Sequence, residues 1–147
     1  MAFKFQLGTV LDLQQQLEEM AKINFQNKTE LLRLETDRLS DLREEQLSLY
    51  GHYREQAQTD VCTLRQLHSF ALALNARIDI QKVSIHTAQL AVDQARDELA
   101  ATRLEVKKLE RLKHKQLTEF LYQEQRKEQA FLDDIATGRF IRQRQAL

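Results

Sequence analysis

The side chains able to do chemistry in this chain are few and dispersed. The histidines are His52, His68, His86 and His114, and Cys62 is the one cysteine of 147 residues. His52, Cys62 and His68 could meet near a turn, where thiolate and imidazole would suit a zinc-like ion; the plainer reading is three solvated residues at a bend. Glu44 with Glu45, and Asp133 with Asp134, are carboxylate pairs, but acid–base work requires a pocket that raises one of the two pKa values. There is no HExxH, CxxC, glycine-rich phosphate loop or GxSxG. No catalytic residue, metal site or cofactor is expected, and no small-molecule substrate. Lys107, Lys108, Arg111, Lys113 and Lys115 form a basic cluster relieved only by Glu110. It reads as a solvated face or as a docking surface for an acidic partner. Without interleaved aromatics it does not read as a nucleic-acid site.

The elements that carry these residues are long helices. There is no proline or tryptophan, only three glycines, and 30% of residues are charged, a composition poor in turns and in bulky filler for a layered core. From Leu64 the chain steps by three and four through Leu67, Ala71, Leu74, Ile78, Gln81, Ile85, Ala88, Val92, Ala95, Leu99, Thr102, Val106, Leu109, Lys113 and Gln116 to Phe120. That is a strict heptad stripe, which asks for a partner helix in a left-handed coiled coil.

An earlier stripe supplies the partner. It reads Val10, Leu13, Leu17, Met20, Asn24, Asn27, Leu31 and Leu34, slips in phase, and resumes at Leu39, Leu42, Gln46, Leu49 and Tyr53, as a stutter would. The predicted fold is all-α: a long antiparallel two-helix coiled coil in a single domain, with helix 1 over about 9–56, a turn over about 57–62, helix 2 over about 63–137 and a basic tail over 138–147. Thr9 with Asp12 and Thr63 with Gln66 have capping-box spacing, and Gly138 has the character of a helix stop. Folding about a point between Thr59 and Asp60 pairs Val10 with Leu109, Met20 with Leu99 and Leu34 with Ile85. A seven-residue slide would pair the stripes equally well. Asn24 and Asn27 are polar intrusions of the kind that fixes register.

Charge and length set the remaining expectations. Twenty-two basic and 22 acidic residues cancel, which removes the electrostatic argument for a general nucleic-acid or membrane-surface binder. A lone cysteine permits no internal disulfide and fits a reducing compartment. With no signal pattern and no apolar run of membrane-spanning length, a soluble cytoplasmic protein is the default. At about 1.5 Å per residue the predicted helices measure roughly 70 and 110 Å, so helix 2 outruns helix 1. Its far end carries Leu117, Phe120, Leu121, Phe131 and Ile135 at helical spacing. Either Phe3, Phe5 and Leu7 cover it, or a partner does. Tyr50, Tyr53 and Phe70 are more aromatic than a solvated turn needs, and pack across the hairpin or form an epitope.

Three segments carry a family resemblance: Phe3-Lys4-Phe5-Gln6-Leu7 followed by Val10-Leu11-Asp12-Leu13; Leu67-His68-Ser69-Phe70 with Leu74, Ile78 and Gln81; and residues 128–140, EQAFLDDIATGRF. They resemble FliJ, the small soluble component of the bacterial flagellar type III export apparatus, over nearly the whole chain. The resemblance implies a non-enzymatic stalk and adaptor. Its end bearing both termini would enter the hexameric export ATPase and promote ring assembly. Its opposite region would contact the cytoplasmic linker of the export-gate protein FlhA, and it would escort export chaperones. By position, Tyr53, Phe70, Leu74 and Gln81 correspond to the gate-binding surface. Phe120, Phe131, Ile135 and Arg139 lie in the region that corresponds to the ATPase-binding end. The location implied is cytoplasmic, peripheral at the inner-membrane export apparatus. The alternative reading is a self-associating coiled-coil scaffold or chaperone-like adaptor.

Overall fold

A computed structural model describes residues 3–55 and 60–145 of the chain. Two helices account for nearly all of them: α1, Gly8–Glu55, and α2, Val61–Gln145, packed against each other as a helical hairpin. There is no strand among the described residues. The helices form because nothing in their sequences interrupts them. Mid-helix threonines, normally poor helix formers, turn their hydroxyls onto the preceding turn, as Thr29 does by donating to the Phe25 carbonyl at 2.8 Å and Thr87 to that of Val83 at 3.0 Å.

The starts differ from the capping boxes expected. α1 begins one residue before Thr9: the Leu7 carbonyl accepts from the Leu11 amide at 2.9 Å, after a turn in which the Gly8 amide donates to Phe5 at 3.2 Å. α2 begins two residues before Thr63. Asp60, a favoured residue type at that position, accepts the first helical bond from the Leu64 amide at 3.2 Å. Of the expected turn, residues 57–59 lie outside the described residues, whereas Val61 and Cys62 are already helical.

Gly138 does not end α2. No glycine has positive φ, so the left-handed cap that makes glycine a stop is not formed. The helix runs seven residues further. A mid-helix glycine costs only about 1 kcal/mol, and Arg142 Nε returns to the Gly138 carbonyl at 3.2 Å. Arg142 and Arg144 also place positive charge on the last turn, where the helix dipole favours it.

The chain divides into two compact units. The first is Glu18–Thr102. Its core is Leu49, Leu74 and Ile78, with Leu39, Leu42, Tyr53, Leu67 and Ala71 packed around them; along α2, Val92, Ala95 and Leu99 are buried as well. The second joins the N-terminal residues up to Leu17 to the chain from Arg103 onward. There Leu11 and Val106 are buried, and the Phe3 ring packs on Phe120 with centroids 5.7 Å apart.

The α2 stripe is where the sequence placed it: every position from Leu64 to Leu109 is buried or half-buried. The α1 stripe is not. In α1 the inward residues are Leu11, Gln14, Glu18, Ala21, Phe25, Lys28, Leu32, Glu35, Leu39, Leu42, Gln46, Leu49 and Tyr53. This seam lies one residue, about a quarter-turn, from the expected one over its first half, and it contains no stutter. Val10, Leu13, Leu17, Met20, Leu31 and Leu34 are exposed, as are Asn24 and Asn27. Polar contacts between helices come instead from residues such as Gln81, whose Nε2 donates to the backbone carbonyl (2.8 Å) and carboxylate of Glu35, and Gln46, whose Nε2 donates to Asn75 Oδ1 at 2.7 Å.

Candidate partner-binding surfaces

Two sets of residues singled out in the sequence occupy contrasting surroundings. In the first unit, Tyr53, Phe70, Leu74 and Gln81 are positioned by the Leu49–Leu74–Ile78 core. Leu74 is 1% exposed and has no surface to offer. Gln81 is half-buried with its amide committed to Glu35, whose other carboxylate oxygen accepts from Arg38 at 2.8 Å. Tyr53 is half-buried against the core, and Phe70 is exposed. The presented surface of this set is therefore the Phe70 ring and part of Tyr53, with Leu74 and Gln81 bracing the helices beneath.

In the second unit, Phe120 is half-buried under Phe3, which answers in part what covers this end of α2. Beyond Phe120 the covering stops. Phe131 is 66% exposed, and Leu121, Leu132, Ile135, Phe140 and Ile141 are exposed too. Phe120, Phe131, Ile135 and Arg139 follow at spacings of eleven, four and four, which keeps them within about a third of the helix circumference. Arginines border the aromatics: Arg126 stands over the Tyr122 ring and Arg144 over that of Phe140, each 5.9 Å from the centroid. Phe140 and Ile141 were missed in the sequence because Gly138 was read as a stop. The signal that could have placed them was a proline-free run with arginine four residues past the glycine.

Electrostatics on both units is that of exposed helix pairs. The Glu30 carboxyl is held below its ordinary value by hydrogen bonding to Arg33, and that of Glu124 by hydrogen bonding to Lys127 at 2.8 Å. Three residues of the basic cluster, Lys107, Arg111 and Lys115, lie along an open face of α2 shared with Glu110, His114 and Tyr122. All belong to one helix, so the face has no opposing wall to enclose a substrate. No group of three His, Cys, Asp or Glu side chains able to hold a metal occurs among the described residues. Cys62 and His68 are exposed, and His52 Nδ1 lies 3.9 Å from Glu55 Oε2. What the arrangement can do is bind other macromolecules through apolar helix surface.

Three comparisons bear on which. A family model described as "Flagellar FliJ protein" matches residues 3–145. No curated protein matches the chain. Among solved structures, CT670 of Chlamydia trachomatis, described as a YscO homolog, superposes with a TM-score of 0.55 at 20% identity, over 92% of this chain and 94% of that one. At that identity the likeness shows the fold alone.

Proposed function

The chain belongs to the flagellar FliJ family, and from that premise we propose that it is a non-enzymatic stalk and adaptor of the type III protein export apparatus. The end of α2 beyond Phe120 binds the hexameric export ATPase, promoting its ring assembly and activity. Phe120, Phe131, Ile135 and Arg139 make that contact. The observation that carries this reading is the run of exposed apolar side chains after Phe120, from Leu121 to Ile141. A helix bearing such a patch is a liability in water unless a partner covers it, and a ring that admits a helix covers it from all sides.

The other contact is with the export gate, through the cytoplasmic linker of FlhA. Phe70 and Tyr53 supply its surface, while Leu74 and Gln81 hold the two helices so that both rings stay in place. Export chaperones bind the same protein in turn. No helix among the described residues is long and apolar enough to cross a membrane, which accords with a cytoplasmic protein peripheral to the inner-membrane apparatus.

The test is the hydrolysis rate of purified export ATPase as this protein is added, with ring formation followed by light scattering. The rate is expected to rise together with oligomerisation. Truncation after Gln116, and separately the double substitution Phe131→Ser/Ile135→Ser, should abolish the stimulation while helicity by circular dichroism persists. Undiminished stimulation by the double variant would overturn the assignment of this surface.

A further inference from the structure

In the unit Glu18–Thr102, α1 carries two rows one residue apart that share a lower half. The row turned toward α2 reads Glu18, Ala21, Phe25, Lys28, Leu32 and Glu35, all half-buried. Beside it Met20, Leu31 and Leu34 are exposed, with Asn24 and Asn27 between them. The half-buried row runs on into Leu39, Leu42, Leu49 and Tyr53 by steps of three and four. The exposed row reaches the same residues through one step of five, from Leu34 to Leu39, and a step of five is what a single π turn inside an α-helix supplies. Two features lie at or beside this junction. Thr36 Oγ1 donates to the Leu32 carbonyl at 2.8 Å, a bond that can hold a carbonyl whose amide partner moves away in a widened turn. Leu31, with Val83 of α2, lines a groove of about 340 Å³ whose other walls include the small side chains Ser84, Thr87, Ala88 and Ala91, which leaves room for a leucine to swing in.

We infer that α1 between Glu18 and Glu35 is a two-position element. A π turn opening between Leu34 and Leu39 rotates that stretch by about 100°, which brings Met20, Leu31 and Leu34 onto α2 and turns Glu18, Lys28 and Glu35 out to water. The exposed row is thus covered, in the second position, by α2 of the same chain. Residues from Leu39 onward keep their places, so the core of Leu49, Leu74 and Ile78 is the fixed base against which the stretch turns. The observed position keeps an unbroken α-helix and the hydrogen bonds from Gln81 to Glu35, and leaves three large apolar side chains wet. The other position buries those side chains, breaks those bonds and brings Asn24 and Asn27 into the seam. Each position gives up what the other keeps, and that balance is the condition for a minor state that a partner can draw out. The inference does not depend on either partner contact proposed above.

The test is the rate at which dithionitrobenzoate labels single thiols in the full chain, with the exposed Cys62 removed by Cys62→Ser. Met20→Cys reports the outer row, since Met20 is 67% exposed, and Ala21→Cys reports the half-buried one. Met20→Cys should react at least tenfold faster than Ala21→Cys. Adding Asn24→Leu/Asn27→Leu, two substitutions at exposed positions, makes the outer row continuous in leucine. It should slow Met20→Cys and quicken Ala21→Cys, so that their ratio falls at least tenfold. Lys28→Leu/Glu35→Leu enriches the observed seam instead, and should protect Ala21→Cys further while Met20→Cys stays fast. An unchanged ratio in the Asn24→Leu/Asn27→Leu chain, with circular dichroism showing it helical, overturns the inference. So does protection of Met20→Cys without exposure of Ala21→Cys, because the leucines would then be covered by a second copy rather than by rotation.

Discussion

The Leu49–Leu74–Ile78 cluster and the Phe3–Phe120 contact are both apolar meetings of an N-terminal and a C-terminal segment, but they differ in what surrounds them. The cluster is ringed by further apolar side chains and lies next to cross-helix hydrogen bonds at Gln46 and Gln81. The aromatic pair is followed along α2 by residues that touch no second helix and remain exposed. Burial thus concentrates where two heptad rows face each other and ends where one row runs out. The difference teaches that apolar content alone does not separate core from contact surface. Phe131 and Leu74 are both large and apolar, and only the presence of an opposing row distinguishes them.

The comparison is broken most sharply by truncating one residue on each side of it. Leu74→Ala should lose about 2–5 kcal/mol in denaturant unfolding, the range for a buried leucine whose cavity cannot fully close, while Phe131→Ala should stay within about 0.5 kcal/mol of the parent. Similar losses for both would mean that residues beyond Phe120 are packed after all. Next in size, Gln81→Ala should cost about 1–3 kcal/mol because it strands acceptors of the half-buried Glu35. Adding Glu35→Ala should cost less than the two single effects combined, as coupling between partners requires.

Smaller still, Phe3→Ala should lose about 0.5–1.5 kcal/mol, the value of an aromatic pair beyond its area, and should raise hydrogen exchange near Phe120 rather than near Leu74. Smallest is the effect of pH on the two surface carboxylates. Glu30 and Glu124 both titrate below the ordinary 4.5 because of their partners Arg33 and Lys127. A carboxyl lowered in the folded state contributes stability that is present above pH 4.5 and lost as pH falls through its folded value. Carboxyl NMR titration should therefore place both below 4.5. Arg33→Ala should return Glu30 alone to its ordinary value, and Lys127→Ala should do so for Glu124 alone.

The fold class and the α2 stripe were legible because its heptad row runs without a phase slip from Leu64 to Leu109, even though Leu72, Ile80, Val83, Leu90 and Leu104 lie exposed off it. The α1 stripe was not, because that helix carries two adjacent rows. The row richer in leucine, through Leu13, Leu17, Leu31 and Leu34, is the exposed one, and the true seam includes Gln14, Glu18, Lys28 and Glu35. Choosing the greasier row created a phase slip that the chain does not have. The polar seam residues are informative only in pairs, and pairing needs the opposite helix. Of the candidate contacts, Phe131 and Ile135 could be read as surface because nothing in the sequence lay opposite them. The burial of Leu74 and the engagement of Gln81 were hidden for the same reason that the seam was.

A heptad seam is a ratchet with identical teeth. Shift one helix by seven residues and apolar rows still mesh, so packing alone offers several notches of nearly equal depth. The bond between Gln81 and Glu35 removes that degeneracy. One notch along, the Gln81 amide would face Leu42, which has no side-chain acceptor, or Lys28, whose ammonium only donates. Each wrong notch leaves a polar group stranded at a cost of about 1–3 kcal/mol, enough to hold it to roughly 15% of molecules at the lower cost and under about 1% at the higher. Within the unit Glu18–Thr102, a single glutamine thereby turns a repeating scale into one setting, and fixes how far the residues of one helix there stand from those of the other.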